Sequence, residues 1–109
     1  MTIDAIVPCY NEEPRVGKVL KTLNDSAFIN KIIFVDGGST DQSLQIAKGF
    51  NKIKILALGK KGGKGQDVKM GLALVESPAI LLCDADLIGL REENIKEMLA
   101  KYEQNQQGL

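Results

Sequence analysis

The sequence contains no histidine among its 109 residues, which excludes imidazole catalysis and any metal site with histidine ligands. Its formal net charge is zero, so no overall electrostatic field attracts nucleic acid or an anionic membrane. No apolar run is long enough to span a bilayer, and the N-terminus lacks the features of a signal peptide. We therefore predict a cytoplasmic domain, with peripheral contact at the inner membrane face left open.

Cysteine is scarce, with only Cys9 and Cys83, which lie far apart and each at the end of a predicted strand. Two cysteines are too few for a zinc framework, and a structural disulfide is not expected in a cytosolic domain. A catalytic thiol is not expected either, because no histidine is present to activate it. Both residues are interpreted as small buried thiols.

Apolar runs alternate with helical patterns along the whole chain. Pro14 suits the first turn of the first helix, and Gly49 is predicted to end a second helix of roughly ten residues. Apolar residues from Ile95 to Tyr102 indicate a fourth amphipathic helix. The strand patterns that separate the helices cover 2–8, 31–36, 52–58 and 79–83.

This alternation predicts the α/β class, with a Rossmann-like, mostly parallel four-stranded sheet and helices on both of its faces. By analogy with doubly wound folds, the expected strand order is 3-2-1-4. We predict a single domain over residues 1–104 and a frayed tail over 105–109, because the tail has no apolar period.

In open parallel sheets, ligands bind beyond the carboxyl ends of the strands. The segments that follow the four strands hold much of the concentrated polar and glycine chemistry of this chain. They are PCYNEEP (8–14), DGGSTD (36–41), GKKGGKG (59–65) and DADL (84–87). We therefore expect the functional site at this edge of the sheet.

The segment DADL places Asp84 and Asp86 one residue apart, where a buried strand should end. Two carboxylates this close repel each other unless a cation neutralises them. Mg²⁺ typically takes one or two carboxylates and completes its shell with phosphate oxygens and water. The alternative is that one aspartate caps the next helix while the other faces solvent. We favour a metal site because of its position at the end of a core strand.

The segment GKKGGKG is a candidate anion site, because its glycines allow close approach of backbone N–H groups and a helix N-terminus follows. Lys60, Lys61 and Lys64 add positive charge. It is not a Walker A loop, since Leu58 stands at the first glycine position and Gly65 replaces the hydroxyl residue. The alternative is a solvated loop whose lysines serve solubility.

The segment DGGSTD begins with Asp36, at the end of the second strand. In dinucleotide folds an acidic residue there accepts hydrogen bonds from ribose hydroxyls. The first turn carries no G-x-G-x-x-G motif, which argues against NAD or FAD. Residues 37–40 are interpreted as turn and capping chemistry, and Asp36 as the binding candidate.

The segment PCYNEEP offers weaker indications. Tyr10 can stack on a base or pack on a helix, Asn11 can serve only to make the turn, and Glu12 can simply favour the helix start. For each residue alone the structural explanation is preferred. The four loops together nevertheless fit a nucleoside diphosphate with a metal ion.

Four segments in order and spacing resemble the nucleotide-binding half of family 2 glycosyltransferases, with the dolichyl-phosphate-mannose and glucosyl-phosphoglycerate synthase branches most similar. The resemblance extends from Ile3 to about Tyr102 and implies a truncated glycosyltransferase A-type fold. Its segments are IVPCYNEE (6–13), VDGGSTD (35–41), GGKGQDVKMGL (62–72) and LLCDADL (81–87).

The resemblance implies a UDP- or GDP-linked sugar as donor, with Mg²⁺ or Mn²⁺ as cofactor and inversion at the anomeric carbon. Asp36 would contact the nucleoside, and Lys64 would lie near the diphosphate. Asp86, the preferred metal ligand, would form a D-x-D motif with Asp84. The implied nucleotide-sugar and metal contacts are Pro8, Tyr10, Asn11, Glu12, Asp36, Lys64, Asp84, Ala85 and Asp86.

The sequence departs from the family pattern in two ways. Gly37 stands where a second acidic residue is common, and family domains are about twice as long. We therefore expect an incomplete enzyme that is weak or inactive alone, without a catalytic base or an acceptor site for a phosphorylated or lipid-linked acceptor. The alternatives are a non-catalytic nucleotide-binding module and a nucleotidyltransferase-like domain. The fourth strand should be an exposed edge that favours self-association.

Overall fold

The computed structural model describes residues 2–60 and 62–107, except for the side chains of Lys64 and of residues 105–107. Strands and helices alternate strictly. They are β1 (Ile3–Cys9), α1 (Glu13–Asp25), β2 (Ile29–Asp36), α2 (Ser43–Ala47), β3 (Ile53–Ala57), α3 (Lys64–Leu72), β4 (Ala79–Leu82) and α4 (Glu92–Gln107).

The four strands form one parallel sheet in the order β3-β2-β1-β4, which confirms the predicted class and strand order. Phe34 of β2 is in register with Val7 of β1 on one side and with Ile55 of β3 on the other. Both central strands are buried almost throughout, which is why they read as continuous apolar runs rather than as alternating ones.

Helices cover both faces of the sheet, as predicted. Val7 and Phe34 belong to the larger core, which also contains buried residues of α1, α2 and α4. Ile6, Ile33 and Val35 point to the other face, where residues that follow Gly71 pack against them. Alternate residues of β1 and β2 therefore serve two different cores.

Gly71 lets α3 approach the second face closely. A Cβ atom at this position would lie 3.1 Å from the Cγ2 atoms of both Ile6 and Val35. This contact fixes where the helix crosses the sheet. The first turn of α3 consequently lies toward the carboxyl ends of β1 and β2.

The second helix is shorter than predicted, with five residues instead of roughly ten. The preceding loop is held in a non-helical path because the side-chain Oδ1 of Asn11 accepts hydrogen bonds from the N–H groups of Thr40 and Asp41. At the other end, the N–H of Gly49 bonds to the carbonyl of Ile46, a short turn that ends the helix. By contrast, Pro14 does lie in the first turn of α1, as predicted.

Asp4 is a fully buried carboxylate in β1 that sequence analysis did not identify. Its Oδ2 accepts hydrogen bonds from the N–H groups of Glu76 (2.6 Å) and Ser77 (3.0 Å). Its Oδ1 accepts from the hydroxyl of Ser77 (2.7 Å) and the amide of Asn30 (3.2 Å). The side chain thus anchors the connection between α3 and β4 to the middle of the sheet.

Strand β4 pairs only with β1, so within the described residues its outer side is an unpaired edge. Ile80 and Leu82 on this strand are 46% and 58% exposed. The structure thus contains the exposed edge that the sequence predicted, while self-association itself stays a prediction.

Helix α4 continues to Gln107, beyond Tyr102, where the apolar period ends. Residues 108–109, part of the predicted frayed tail, lie outside the described residues, so that fraying stays a prediction. Among the helices that the structure describes, none has both the length and the apolarity needed to cross a membrane.

Candidate functional site at the carboxyl ends of the strands

A cleft of about 180 Å³ opens at the carboxyl edge of the sheet. Its walls come from the end of β1 and the loop that follows it, from the beginning of α3 and the glycine before it, and from the segment after β4. Six of the residues expected from the sequence meet there. The lining residues are Pro8, Cys9, Tyr10, Glu12, Gly63, Asp67, Asp84, Ala85 and Asp86.

The segment after β4 presents two carboxylates to this cleft. The N–H of Cys83 donates to the carbonyl of Ile6 (3.0 Å), which prolongs the pairing with β1. Ala85 is then buried at 3% exposure, while Asp84 and Asp86 on either side of it are exposed. Because α4 begins only at Glu92, neither aspartate caps that helix, and the alternative interpretation as a helix cap is wrong.

These two carboxylates suit a hard divalent cation that takes part of its shell from a ligand. Among the described residues, no group of three or more acidic, cysteine or histidine side chains is placed to hold a metal ion. Mg²⁺ in proteins is often bound by only one or two carboxylates, with phosphate oxygens and water completing its coordination. The carboxylates of Asp84 and Asp86 therefore suit a metal ion that is also bound to a diphosphate better than an ion coordinated by protein side chains alone.

The loop after β1 has both exposed and structural residues. Tyr10 is 40% exposed and lines the cleft, where an aromatic ring can stack on a ligand. Glu12 also lines it, and its carboxylate pairs with the guanidinium of Arg15 at 2.7 Å. Glu12 lies directly before α1, as expected for a residue that favours the helix start. Its binding role stays a prediction.

Asn11 joins two loops rather than lining the cleft. Its backbone is left-handed, with φ of 52°, a conformation that asparagine tolerates better than most residues. Its N–H donates to the hydroxyl of Ser39 (3.0 Å), and its Oδ1 accepts from the N–H of Thr40 (2.7 Å). The turn-making role considered for this residue is thus observed, and its predicted contact with the nucleotide sugar stays a prediction.

Asp36 lies beneath the loop after β2 and is only 3% exposed. Its Oδ2 accepts hydrogen bonds from the N–H groups of Gly38 and Ser39, both at 3.1 Å. Its Oδ1 is buried and has no hydrogen-bond partner among the described residues. Asp36 is not among the residues that line the cleft, but it retains one oxygen that could accept a hydrogen bond.

The second and third loops touch through their backbones. Gly38 has φ of 92°, and a Cβ atom there would lie 3.1 Å from backbone atoms of Gly59 and Lys60. The glycine-rich loop is therefore supported from below by the loop that carries Asp36.

The glycine-rich loop leads into α3 at the cleft. Gly63, with φ of 87°, precedes the helix and lines the cleft. The first-turn N–H groups of α3 thus begin at the cleft, as the anion-site interpretation requires. Lys61 and the side chain of Lys64 lie outside the described residues, so the role of Lys64 near the diphosphate stays a prediction.

Asp67 is a residue of the site that sequence analysis missed. It lies one helical turn before Gly71 on α3, lines the cleft and is 5% exposed. Burial, followed by the negative charge of Asp36, raises the pKa of its carboxyl group. Its spacing of four residues from Gly71 places it on the sheet-facing side, and this spacing was the one sequence feature that could have identified it.

Both thiols are buried, as predicted, with Cys9 and Cys83 each 3% exposed and free. Burial raises the pKa of each thiol to about 11. They are therefore protonated near neutral pH and unsuited to nucleophilic chemistry.

The fold and the cleft define a parallel α/β domain with its polar loops gathered at one edge. The chain belongs to glycosyltransferase family 2, because the family model "Glycosyl transferase family 2" matches residues 4–109. This confirms the family that the four segments resemble.

Individual proteins agree with this assignment. Human dolichyl-phosphate beta-glucosyltransferase is 32% identical over 99 residues, which cover 77% of this chain and 31% of that protein. The structure of TarS residues 1–349 from S. aureus is 28% identical with a TM-score of 0.80, over 95% of this chain and 33% of that one.

A third comparison concerns the fold alone. Glucosyl-3-phosphoglycerate synthase from Mycobacterium tuberculosis, solved with Mn²⁺, UDP and glucosyl-3-phosphoglycerate, is 22% identical. Its TM-score is 0.76, over 87% of this chain and 37% of that one. This chain thus spans about a third of the length of these proteins.

Proposed function

We propose that this chain is the donor-binding part of a hexosyltransferase, and that it binds a nucleoside-diphosphate sugar together with Mg²⁺ or Mn²⁺. The observation that carries this proposal is the cleft in which Tyr10 and Glu12 share one space with Asp84 and Asp86. An aromatic surface and a carboxylate pair in one cleft suit the two chemically different ends of a nucleotide sugar. Membership of glycosyltransferase family 2 supports this choice of ligand.

Asp86 and Asp84 are the proposed metal ligands. When bound, a divalent cation neutralises the negative charge that develops on a departing diphosphate. The protein's own contribution is to hold the two carboxylates on a turn whose backbone is fixed: the N–H of Leu87 bonds to the carbonyl of Asp84 at 3.1 Å, and buried Ala85 anchors its centre.

The nucleoside end is proposed to lie against Pro8 and Tyr10, with Asp36 as a hydrogen-bond acceptor for it. The N-terminus of α3 and the ammonium group of Lys64 would attract the diphosphate. Stacking on Tyr10 tolerates any base, since each base has a π-face. Selection among bases must therefore come from polar groups such as Asp36.

Transfer with inversion requires a carboxylate base and an acceptor, and we assign neither to this chain. We propose that both belong to the additional length found in the relatives, which are about three times as long as the matched region. The acceptor class is proposed to be a phosphorylated or lipid-linked molecule, as the name of the human relative indicates for that protein. A cytoplasmic location with peripheral membrane contact would suit it. The chain alone should transfer weakly or not at all.

Thermal unfolding with UDP, GDP, UDP-glucose and GDP-mannose, each without a metal, with Mg²⁺ and with Mn²⁺, tests this proposal. We expect a metal-dependent rise in the midpoint for one nucleotide family, equivalent to about 2.7 kcal/mol at one hundred times the dissociation constant. Asp86→Asn should abolish the rise, whereas Glu97→Gln on exposed α4 should preserve it. If no nucleotide raises the midpoint temperature of unfolding, with or without a divalent cation, the proposal is wrong.

A further inference from the structure

A second groove, of about 610 Å³, begins next to the cleft. One of its walls is a side of α1, and the other is the segment of residues 87–90, which we call the 87–90 loop. Arg15 lines the groove and pairs with Glu12, which lines the cleft. Leu87 of the groove directly follows Asp86 of the cleft. The groove therefore reaches the same edge of the sheet at which the cleft opens.

The 87–90 loop exposes apolar side chains to solvent. Ile88 is 85% exposed, more than any other large apolar side chain in the described part of the chain, and Leu87 is 41% exposed. Gly89, with φ of 80°, turns the backbone after them. Leu90 is half-buried and packs against the larger core, so the loop is anchored at its base. Ile88 thus projects from the surface on a loop that is itself held in place.

The side of α1 that faces this loop carries a row of cations. Arg15, Lys18 and Lys21 recur every three residues, and all three line the groove. Glu12 pairs with Arg15 at 2.7 Å, and Asp25 pairs with Lys21 at 2.9 Å. Lys18, between them, has no ion pair within the described residues. The groove therefore carries more positive than negative charge, although the net charge of the whole chain is zero.

We propose that the 87–90 loop and the cationic row of α1 form a docking surface for an anionic lipid bilayer. Ile88 and Leu87 insert at the level of the lipid headgroups, and the groove beside them receives lipid phosphates near Lys18. Apolar side chains that enter the interface, together with nearby lysine and arginine, are how peripheral proteins bind anionic lipids. The inference rests on the membrane contact included in the proposed function, but it does not require nucleotide binding.

The exposure of Ile88 favours a bilayer over an acidic protein segment as the partner. A segment lying along the groove would meet the cations, but it would leave most of a projecting side chain uncovered. A bilayer covers Ile88 and neutralises Lys18 at the same time. Docking also brings the mouth of the cleft to the lipid surface, because Asp86 directly precedes the loop. A lipid-linked acceptor, the class proposed above, would then be close to the donor.

Co-sedimentation of the chain with sucrose-loaded vesicles, without nucleotide, tests this surface. Vesicles of phosphatidylcholine alone are compared with vesicles that also contain about 30% phosphatidylglycerol, at low and at high salt. We expect at least about tenfold stronger binding to the anionic vesicles at low salt, and weaker binding at high salt because the charges are screened. Samples without vesicles correct for sedimentation of protein assemblies. Equal binding to both kinds of vesicle, or binding to neither, overturns the inference.

Matched substitutions test whether these residues make the contact. Ile88→Ser should weaken binding to anionic vesicles about tenfold, whereas Leu72→Ser on α3, which is 45% exposed, should change it by less than about twofold. Lys18→Gln should weaken binding about fivefold, whereas Lys54→Gln at an exposed position of β3 should change it by less than about twofold. Thermal unfolding checks that all four variants are folded. If both members of each pair respond alike, the inference is overturned.

The inference and the nucleotide function fail separately. If no nucleotide stabilises the chain but anionic vesicles bind and Ile88→Ser weakens that binding, the nucleotide function is wrong and the docking surface stands. If a nucleotide binds and the vesicles do not, only the docking surface is overturned. Binding of a glutamate-rich peptide in place of vesicles would assign the groove to an acidic protein partner and would overturn the inference as well.

Discussion

The side-chain oxygen of Asn11 accepts a hydrogen bond from the backbone N–H of Thr40 at 2.7 Å, across 29 residues of sequence. This contact ties the loop after β1 to the loop after β2. The first loop lines the cleft and the second covers Asp36, so this amide group helps to set the relative position of two predicted binding elements.

Replacement of Asn11 should separate its two structural contributions. Asn11→Gly keeps the left-handed backbone accessible but removes the acceptor, and we expect a loss of about 1 kcal/mol in unfolding free energy. Asn11→Ala also places an ordinary side chain at φ of 52°, which should add about 1 kcal/mol more. Urea denaturation measures both values. Equal stability of the two variants would contradict the conformational part of this prediction.

Asp4→Ala should strongly destabilise the domain. It leaves the partly buried N–H groups of Glu76 and Ser77 without their acceptor, and we expect a loss of about 2–4 kcal/mol. The matched control is Asp25→Ala, which removes an exposed carboxylate paired with Lys21 and should cost less than about 0.5 kcal/mol. Similar losses in both variants, measured by urea denaturation, would show that the Asp4 network is not stabilising.

The two glycines of α3 should respond oppositely to alanine. Gly71→Ala brings a methyl group 3.1 Å from Ile6 and Val35 and should cost about 1–3 kcal/mol, because α3 must move away from the sheet. At Gly65 no described atom lies within 4 Å of the added methyl group, so Gly65→Ala should be neutral or stabilising by up to about 1 kcal/mol. Thermal unfolding of the pair tests how closely α3 is packed.

Asp67 should make the domain less stable as pH rises through the acidic range. Its pKa is higher in the folded state than in the unfolded chain, because burial and the charge of Asp36 disfavour the carboxylate. The favourable contribution of Asp67 to the free energy of unfolding is complete below the pKa that its carboxyl group has in the unfolded chain. It declines as pH rises from that value to the pKa of the same group in the folded protein.

Asp67→Asn removes this titration, so the variant should be more stable than the parent at pH 7. The difference between the two proteins should shrink toward pH 4. Urea denaturation between pH 4 and pH 7 measures it. A variant that is less stable at pH 7 would mean that the ionised Asp67 is stabilised by a partner.

The free edge of β4 should promote self-association. Leu82 and Ile80 are exposed beside backbone groups that pair with no other strand in the described part of the chain, an arrangement that templates strand pairing. We expect dimers or larger assemblies at micromolar concentration in analytical ultracentrifugation. Leu82→Lys should shift the protein toward monomer, whereas Leu72→Lys on α3, which is 45% exposed, should not. A parent protein that is purely monomeric would refute this prediction.

The sheet was predictable because short segments of the sequence are enough to identify each strand and helix. Each strand reads as an apolar run, and each is followed by a helical stripe, so the alternation alone limits the topology to a parallel sheet. The meeting of Tyr10, Glu12 and Asp86 in one cleft followed from this topology without knowledge of any side-chain contact.

The contributions of Asp4 and Asp67 were not predictable in the same way. Each depends on a contact between segments that are distant in sequence, such as Asp4 with Ser77. The shortened α2 has a similar cause, because Asn11 holds residues that the local pattern would allow to be helical. Tertiary hydrogen bonds decided the role of Asp4 and the length of α2, and helical periodicity carries no information about either.

Gly38, which as a glycine has no side chain, has a consequence for engineering this domain. The backbone of the glycine-rich loop packs directly against Gly38. The distance of this loop from the sheet therefore depends on a residue more than twenty positions earlier in the sequence. Grafting the glycine-rich loop of another protein without the DGGSTD segment would remove its support. The two segments should be exchanged together, as one cassette.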